Sequence, residues 1–366
     1  MTTTTRSSAT RAAAQTYVPH PTLLVHPAVI EGERLLIAET GSATPPLILR
    51  DIRVAWAITL LPDQGTRTEI VARWRSEKVL APIADDLFEA LLAEDVLLTA
   101  DQEPQQARAW RRFGWEEAYR YHASTRDYPF LQMDQEGAFD ADDARMEEYV
   151  KESAPPPITM DLPASADSIA LRKLGPGESA DALLEMLSAK EQRGTEGLSV
   201  LMDVVFGERT RRPFAVQGEF LRKAVPSGGA RHPTEAFLVT FPGASIPPGV
   251  HHYNVERHRL DVVRPGDHSE AFRTASFDLF DKFHRKPFGL LVFCSLVERA
   301  MWRYRDARSA RAPFIDVGHT LMAYRTVIKR LGVGGYTYQK FDDAAIADLL
   351  GIDVNRMIPL FLGTLV

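Results

Sequence analysis

The short segment 226–229 combines residue types that suit a ligand-binding turn. Pro226 is rigid, Ser227 carries a hydroxyl, and Gly228 and Gly229 leave the backbone unrestricted directly before a predicted strand. Glycine lets backbone N–H groups approach a planar or anionic ligand closely, and serine adds a donor. An ordinary proline–glycine turn would have the same composition. The segment lacks the Lys-Ser/Thr ending of a P-loop and the strand-first order of a dinucleotide-binding turn, which argues against both.

Cysteine and histidine form no metal-binding pattern. Cys294 is the only cysteine, which forbids an intrachain disulfide and a cysteine-based zinc site. It lies in an apolar run and is expected to be inert core. His251 and His252 are adjacent on a predicted strand, so their side chains point to opposite faces and cannot share one metal ion. The sequence therefore predicts no metal site.

Composition bounds the class of protein. The chain of 366 residues is 45% apolar and 25% charged, which is ordinary for a soluble globular protein of about two or three domains. Its formal net charge of −6 argues against a dedicated nucleic-acid binder. No apolar run approaches the roughly 18–20 residues of a membrane helix, and the polar N-terminus does not resemble a secretory signal. We therefore predict a soluble, cytoplasmic protein with neither membrane nor nucleic acid as partner.

The N-terminal part predicts a tail and a small domain. Residues 1–21 are polar and are expected to be disordered, whereas residues 22–100 show a hairpin pattern followed by three short helical patterns. Thr66, with Glu69 three residues on, is an expected N-cap. This order predicts a winged-helix-like domain. A domain that is only a structural or dimerising appendage would show the same order. It resembles the PqqD-like domains of ribosomal-peptide maturation enzymes, and that resemblance implies leader-peptide binding.

A linker and docking region is predicted over residues 101–160. Aromatic residues recur at helical spacing from Trp110 to Tyr128, a pattern typical of a docking face between domains. Residues 134–157 are acidic and end in three consecutive prolines, where no helix can continue. We therefore place a domain boundary at the prolines and expect the catalytic domain over residues 161–366.

The second half of the chain mixes predicted helices and strands. Helical periodicity predicts helices at residues 180–190, 314–331 and 344–350, whereas residues 198–206 fit either a second helix or a buried segment. Short apolar runs predict strands at residues 236–240, 249–253, 259–263, 289–295 and 358–362. Because helices and strands do not alternate strictly, the pattern indicates an α+β fold rather than a doubly wound sheet.

Four ordered blocks in this half resemble the flavin-dependent nitroreductase superfamily. They are PSGGARHPTEAFLVT, GVHHYNVERHRLDVV, WRYRDARSARAPFIDVGH before a long helix, and LGVGGYTYQKFDDAAIADLLGIDVNRMIPLFLGTL. Within that superfamily they are similar to the thiazoline and oxazoline dehydrogenases of the streptolysin and microcin type. The resemblance implies a nitroreductase-like domain, with a central antiparallel or mixed sheet flanked by helices, that dimerises and binds FMN at the subunit interface.

The resemblance also implies phosphate ligands. Family members hold the FMN phosphate with a basic segment at the end of the first helix, which corresponds here to Lys190 and Arg193, although the family's serine is replaced. The basic run 209–212 fits that composition better but follows the second helix, so we prefer Lys190 and Arg193. A phosphate needs guanidinium or ammonium partners, and solvated surface charge would look the same in the sequence.

Further cofactor contacts follow from the same blocks. Pro226 belongs to the matching turn, and Ser227, Gly228 and Gly229 match positions that contact the flavin ring or ribityl chain. Gly334 and Gly335 match glycines near the phosphate, and they would serve equally as the end of the preceding helix.

Arg303 and Tyr304 occupy the place of an adjacent Lys-Tyr pair that is associated with catalysis in the azoline dehydrogenases. Azoline oxidation needs a base for the α-proton, and arginine effectively cannot deprotonate. The substitution leaves Tyr304 as the candidate base and Arg303 as an electrostatic helper. Both residues would also suit an interface helix.

Together these features predict an FMN-dependent oxidoreductase that dehydrogenates peptide azolines to azoles. The expected partners are a precursor peptide with its leader, a second copy of the chain, and a cyclodehydratase complex. Reduction of dehydroamino acids in a peptide is an alternative, because two-electron flavin chemistry runs in both directions. The altered Lys-Tyr pair also leaves open a catalytically inactive, peptide-binding scaffold.

Overall fold

The computed structural model describes residues 15–41, 45–160, 162, 167–175, 177–214, 216, 218–282 and 286–366, apart from the side chain of Phe214. The chain divides into two compact units, Met1–Leu131 and Gln132–Val366. The predicted linker region 101–160 spans this division, so its acidic part belongs to the second unit. In the part of the chain that the structure describes, no helix is long and apolar enough to cross a membrane.

The first unit combines two small antiparallel sheets with short helices. Its elements are β1 (Thr16–Pro19), β2 (Leu24–Ile30), β3 (Glu33–Glu39), β4 (Leu47–Leu49), α1 (Ile52–Thr59), β5 (Gly65–Thr66), α2 (Arg67–Ser76), α3 (Ala84–Ala93), β6 (Leu97–Thr99), α4 (Gln105–Arg112) and α5 (Glu116–Thr125). The sheets have the orders β2-β3-β4 and β5-β1-β6. Trp74 and Phe88 are buried at the centre of the apolar core. The predicted small domain of strands and helices is therefore confirmed.

Local signals account for two features of this unit. Thr66 and Glu69 form a reciprocal capping box that begins α2, as the spacing predicts. The prediction of a disordered tail is wrong for residues 16–19, since they form β1 between β5 and β6. Pairing on both sides satisfies backbone groups of this short segment, and the polar composition of the surrounding residues carries no sign of that pairing. Residues 1–14 lie outside the described residues.

The second unit is built on an antiparallel sheet. Its elements are α6 (Ala138–Glu152), β7 (Ser168–Ala170), α7 (Ala180–Met186), α8 (Ala189–Gln192), α9 (Thr195–Phe206), β8 (Glu208–Phe214), β9 (Gly218–Lys223), β10 (Thr234–Thr240), β11 (Gly249–Asn254), β12 (Arg259–Pro265), α10 (Ser269–Ala275), β13 (Gly289–Leu296), α11 (Glu298–Arg303), α12 (Arg311–Arg330), β14 (Thr337–Tyr338), α13 (Asp343–Leu350) and β15 (Met357–Leu365).

The sheet has the order β14-β15-β13-β10-β11-β12-β7, and helices cover both of its faces. Every residue of β10 and β13 is buried. Alternate residues of these strands pack against α9 and α12 on one face and against α10 and α13 on the other. The predicted α+β class is confirmed. Strands β8 and β9 form a separate hairpin that leads into segment 226–229.

One helix prediction is wrong. The apolar periodicity of residues 180–190 predicts a single helix, but the structure contains α7 and α8 with a break between them. Ser188 starts the second helix, because its side chain accepts a hydrogen bond from the Glu191 N–H and the Glu191 carboxylate accepts one from the Ser188 N–H. This capping box favours a new helix start at Ser188 over continuation of α7. Apolar periodicity alone does not reveal such a start.

Candidate functional site

Segment 226–229 lies between β9 and β10 and is held in place by helix α12. The Ser227 hydroxyl donates to Asp316 Oδ2 at 2.6 Å, and the Gly228 N–H donates to Asp316 Oδ1 at 3.2 Å. The His232 N–H donates to Ser227 Oγ at 2.8 Å, which closes the loop from its other side. Burial raises the pKa of Asp316 and outweighs the two hydrogen bonds that lower it. The carboxylate thus fixes the loop at some electrostatic cost.

Tyr304 approaches the same loop from the end of α11. Gly229 has a left-handed φ of +57°, and a Cβ built on it would lie 2.1 Å from the Tyr304 hydroxyl oxygen. The Tyr304 N–H donates to Ala300 O at 2.8 Å, which anchors its backbone to the last turn of α11. The structure therefore brings the candidate base against the predicted flavin-contacting glycine.

Two guanidinium groups flank this contact. Arg231 donates from Nε to Gly229 O at 2.9 Å and lies 4.3 Å from the centre of the Phe220 ring. Burial lowers the pKa of Arg231 to about 10, so the group remains cationic near neutral pH. Arg303 lies 4.9 Å from the centre of the Tyr304 ring. Its Nη2 also forms an ion pair with Asp142 Oδ2 at 2.6 Å. The predicted helper residue is thus next to Tyr304 and already has an anionic partner.

An apolar cavity of about 670 Å³ opens beside Tyr304. Its wall consists mainly of aliphatic and aromatic side chains from α11, α12, β15 and the chain next to α11, among them Val297, Met301, Pro313, Phe314 and Ile358. A volume of this size is typical of a small-molecule or side-chain site. The cavity could therefore receive an apolar part of a ligand whose reacting atoms face Tyr304.

The two candidate phosphate segments differ in their surroundings. Arg209 donates to Asp203 at 3.1 Å, and Arg211 pairs with Glu208 at 3.0 Å. Both belong to the hairpin strand β8 rather than to the end of a helix. Lys190 lies in α8 and Arg193 directly follows it, and both side chains are exposed.

The glycine segment 332–335 runs close to α8. A Cβ built on Gly332 would lie 3.6 Å from Gln192 Oε1. The Gly334 N–H donates to Val366 O at 3.2 Å. A Cβ on Gly335 would meet Ile328 Cδ1 at 2.5 Å and Thr364 O at 2.6 Å, so close packing requires glycine there. This segment thus lies beside the preferred basic segment, and Gly335 also has a structural reason to be glycine.

A second cavity, also of about 670 Å³, borders Gly335 and carries positive charge. Arg325, Lys329 and Arg330 of α12 line it. Arg330 is paired with Asp181 at 3.3 Å. These side chains add cations to the region between α8 and the end of α12, where the family resemblance predicts the phosphate.

A buried charge network lies behind the loop. Glu235 pairs with Arg299, and its Oε2 atom accepts a hydrogen bond from His252 Nε2 at 2.7 Å. Burial opposes ionisation of Glu235, but Arg299 and His252 outweigh it and lower its pKa to about 2. Burial lowers the pKa of Lys223 to about 8, and this residue lines a small cavity together with Ser227. The network stiffens the start of β10 directly behind the loop.

Several of these residues escaped sequence reasoning. Asp316 lies within the third matched block, so the sequence could have drawn attention to it, but nothing local indicated that it binds the loop. Arg231 lies within the first block, so the sequence could have drawn attention to it in the same way. Asp142 belongs to an acidic helix that offers no local signal of a specific contact. Lys223 also went unnoticed, since a lysine in a strand pattern is ordinarily solvated.

Cys294, His251 and His252 are buried among protein groups. Cys294 is buried, and burial raises the pKa of its thiol. The His251 Nε2 and Thr240 Oγ1 atoms lie 3.0 Å apart, whereas His252 faces Glu235. Over the described ranges, no group of three or more His, Cys, Asp or Glu side chains is arranged to hold a metal ion.

Comparison with known families gives the class of the domain that contains this loop. Residues 195–363 match the nitroreductase family. This match covers a little less than half of the chain and confirms the resemblance of the four sequence blocks to that family. The match begins at α9, so α6, α7 and α8 precede it.

Two curated relatives are peptide-processing proteins by name. The trifolitoxin-processing protein TfxB of Rhizobium leguminosarum bv. trifolii is 47% identical over 105 residues, which are 28% of this chain and 28% of that protein. The microcin B17-processing protein McbC of Escherichia coli is 25% identical over 144 residues, which are 38% of this chain and 52% of that protein. The alignments thus span about half or less of each relative.

Solved structures include a similar chain in the E. coli microcin synthetase McbBCD complex with truncated pro-MccB17 bound. It shares 20% sequence identity over 66% of this chain and 84% of the matched chain, with a TM-score of 0.40.

Proposed function

We propose that this protein is an FMN-dependent oxidoreductase that dehydrogenates azolines in a ribosomally made precursor peptide to azoles. The family match and the similarity to two peptide-processing proteins support the class. The observation that carries the proposal is the contact of the Tyr304 hydroxyl with Gly229, at the edge of an apolar cavity. This contact supports the proposal because the Tyr304 hydroxyl, the loop 226–229 and a substrate-sized space lie next to one another.

The residues present fit FMN. The loop 226–229 offers a glycine surface that a side chain at position 229 would obstruct, and Asp316 holds it rigidly. Lys190 and Arg193 are exposed cations beside the glycine segment 332–335 and suit a phosphate. When bound, FMN supplies the two-electron redox chemistry of the reaction.

The chain's own side chains would handle the substrate and one proton. Dehydrogenation of an azoline removes two electrons and two protons, and the Tyr304 phenolate would accept the proton from the α-carbon and become the neutral phenol. Arg303 and Arg231 cannot accept a proton at neutral pH, but their positive charge favours negative charge near the loop. The apolar walls of the cavity would exclude water from the reacting atoms.

Homodimer formation would use the outward face of α12. Phe314, Ile315 and Met322 are exposed on this helix, and Gly318 between them leaves open space around its α-carbon. Small residues flanked by large apolar ones allow two helices to approach closely. We propose that a second copy covers this face and that the FMN site lies near the resulting interface.

Leader binding would be the task of the first unit. Strand β4 pairs with β3 and ends the three-stranded sheet β2-β3-β4 in the described residues. Such an edge can accept a peptide strand, with Ile52 and Trp56 exposed on the following helix. We propose that the leader adds here, in the cytoplasm and in a complex with a cyclodehydratase. Deletion of residues 1–100 should abolish leader binding while FMN is retained, and leader binding by the deleted chain would contradict this assignment.

Mass spectrometry tests the reaction. The purified protein, reconstituted with FMN and incubated with an azoline-containing precursor peptide, should lower the peptide mass by two hydrogens, about 2 Da. A gain of two hydrogens on a dehydroamino acid peptide would instead establish the reductase. A protein that cannot take up FMN would establish a non-catalytic scaffold, for which the replacement of lysine by Arg303 is the favouring observation.

A further inference from the structure

Helix α6 precedes the segment that matches the nitroreductase family, yet its contacts converge on α11. The match begins at residue 195, whereas α6 spans Ala138–Glu152. Met146 of α6 is fully buried, so the helix is packed into the second unit rather than exposed on all sides. Helix α11 ends in Arg303 and is followed directly by Tyr304. The acidic segment is therefore a neighbour of the candidate base.

A carboxylate, a guanidinium and a phenol ring follow one another at this junction. The Asp142 and Arg303 side chains are only 16% and 15% exposed, and their closest atoms lie 2.6 Å apart. The Arg303 guanidinium lies 4.9 Å from the centre of the Tyr304 ring. A guanidinium held by a carboxylate has a restricted position, and a cation near an aromatic ring restricts the ring in turn.

Other contacts hold the same two segments together. The Trp302 indole N–H donates to Ser153 O at 3.2 Å and to Ser153 Oγ at 3.0 Å. The Arg305 guanidinium lies 3.6 Å from the centre of the Tyr149 ring. Each side chain on either side of Tyr304 is therefore engaged with α6 or with the residue that follows it.

The chain is also fixed beyond α6. Arg299 is 5% exposed and donates to Pro157 O at 2.9 Å and to Ile158 O at 2.6 Å. Its Nη1 donates to His232 O at 2.9 Å, at the end of the loop that carries Gly229. One helix thus links the acidic segment, the loop and Tyr304.

We propose that α6 is part of the catalytic unit and that Asp142 is a positioning residue. By holding Arg303 against the Tyr304 ring, Asp142 keeps the Tyr304 hydroxyl at Gly229. This inference rests on the proposed function, because the position of Tyr304 matters for turnover only if Tyr304 handles the proton. Its structural part, that Asp142 sets the position of Tyr304, can be measured without turnover.

The test compares Asp142→Asn with Glu148→Gln, which removes a charge from an exposed position of the same helix. Asp142→Asn should lower kcat about tenfold or more. The peptide KM and the FMN Kd should stay within twofold of wild type, and Tm within a few degrees. In an Arg303→Gln background, Asp142→Asn should have no further effect. Equal kcat in Asp142→Asn and Glu148→Gln would overturn the proposal. So would a kcat in the Asp142→Asn, Arg303→Gln double variant that falls by the sum of the two separate effects.

Fluorine NMR supplies the readout that does not depend on activity. With 3-fluorotyrosine at position 304, Asp142→Asn should shift or broaden the resonance, whereas Glu148→Gln should leave it unchanged. An unchanged resonance in Asp142→Asn would overturn the proposal even if the chain proves to catalyse nothing. If Asp142→Asn fails to fold, Arg303→Lys keeps the charge but loses the planar group, and it should shift the same resonance. Absence of that shift would equally overturn the proposal. Wild-type protein without turnover would contradict the proposed function alone.

Discussion

The Tyr304 hydroxyl occupies the space that a side chain at Gly229 would need. The distance from the hydroxyl oxygen to a Cβ built at position 229 is 2.1 Å. Glycine is therefore required there twice, once for the left-handed φ of +57° and once for the approach of the phenol. This relationship connects the loop of the first sequence block with the end of α11, where the third block begins.

Gly229→Ala should separate the loop from Tyr304. We expect a loss of stability of roughly 1–2 kcal/mol from the left-handed backbone and a fall in turnover of at least tenfold from the displaced hydroxyl. Gly218→Ala is the matched control, since Gly218 has a φ of +80° with nothing within 4 Å of its Cβ position. It should lose similar stability and keep turnover. Equal turnover in both variants would contradict the importance of this contact.

Tyr304→Phe removes one oxygen and leaves the ring under Arg303. If the hydroxyl accepts the proton, kcat should fall roughly 100-fold or more, while FMN affinity stays within twofold. Tyr336→Phe, at a residue 46% exposed, should leave kcat unchanged. Single-turnover measurements of peptide mass would report the step directly. Unaltered kcat in Tyr304→Phe would remove the residue as base.

Arg193→Ala tests the choice between the two basic segments. A hydrogen bond to a charged group contributes about 1.5–3 kcal/mol, so loss of a phosphate contact should weaken FMN binding roughly tenfold or more. Arg212→Ala, on strand β8, should change the FMN Kd less than twofold. Titration of FMN fluorescence gives both values. The opposite order of effects would assign the phosphate to the segment 209–212.

Glu235→Gln tests the buried charge network. With its pKa lowered to about 2, Glu235 contributes stability that is present above its unfolded value of 4.5 and is lost as pH falls towards 2. We expect the variant to be about 3 kcal/mol less stable at pH 7, because Arg299 loses its buried partner. Urea unfolding should show this difference narrowing below pH 4.5. The exposed control Glu185→Gln should show no such difference, and a constant gap across pH would refute the assignment.

Asp316→Asn should reveal the electrostatic cost of holding the loop. Burial raises the pKa of this carboxyl above 3.8, so the folded state takes up a proton more readily than the unfolded state. The free energy of unfolding of the wild type should therefore decline relative to the variant as pH rises from about 4. Urea unfolding between pH 4 and 7 measures the change. A difference that does not depend on pH would show that burial of the charge carries no net cost.

Much of the fold could be predicted because its signals are local. The capping box at Thr66, the hairpin of β11 and β12, and the apolar runs of β10 and β13 depend on residues a few positions apart. The break after α7 was missed because a second local signal at Ser188 competes with helical periodicity. Strand β1 was missed because its pairing depends on residues far along the chain.

The contacts of the candidate site join residues that are far apart along the chain. Ser227 and Asp316 are 89 positions apart, and Arg303 and Asp142 are 161 apart, so no window along the chain contains either pair. Residue types drew attention to the loop, and the four sequence blocks indicated the family, whose resemblance in turn made Tyr304 a candidate. Which carboxylate holds the loop, and which holds the arginine beside Tyr304, followed only from the packing of α12 and α6 in three dimensions. Periodicity decides which side of an element is buried, whereas the order of strands and the crossing of helices decide which buried groups meet.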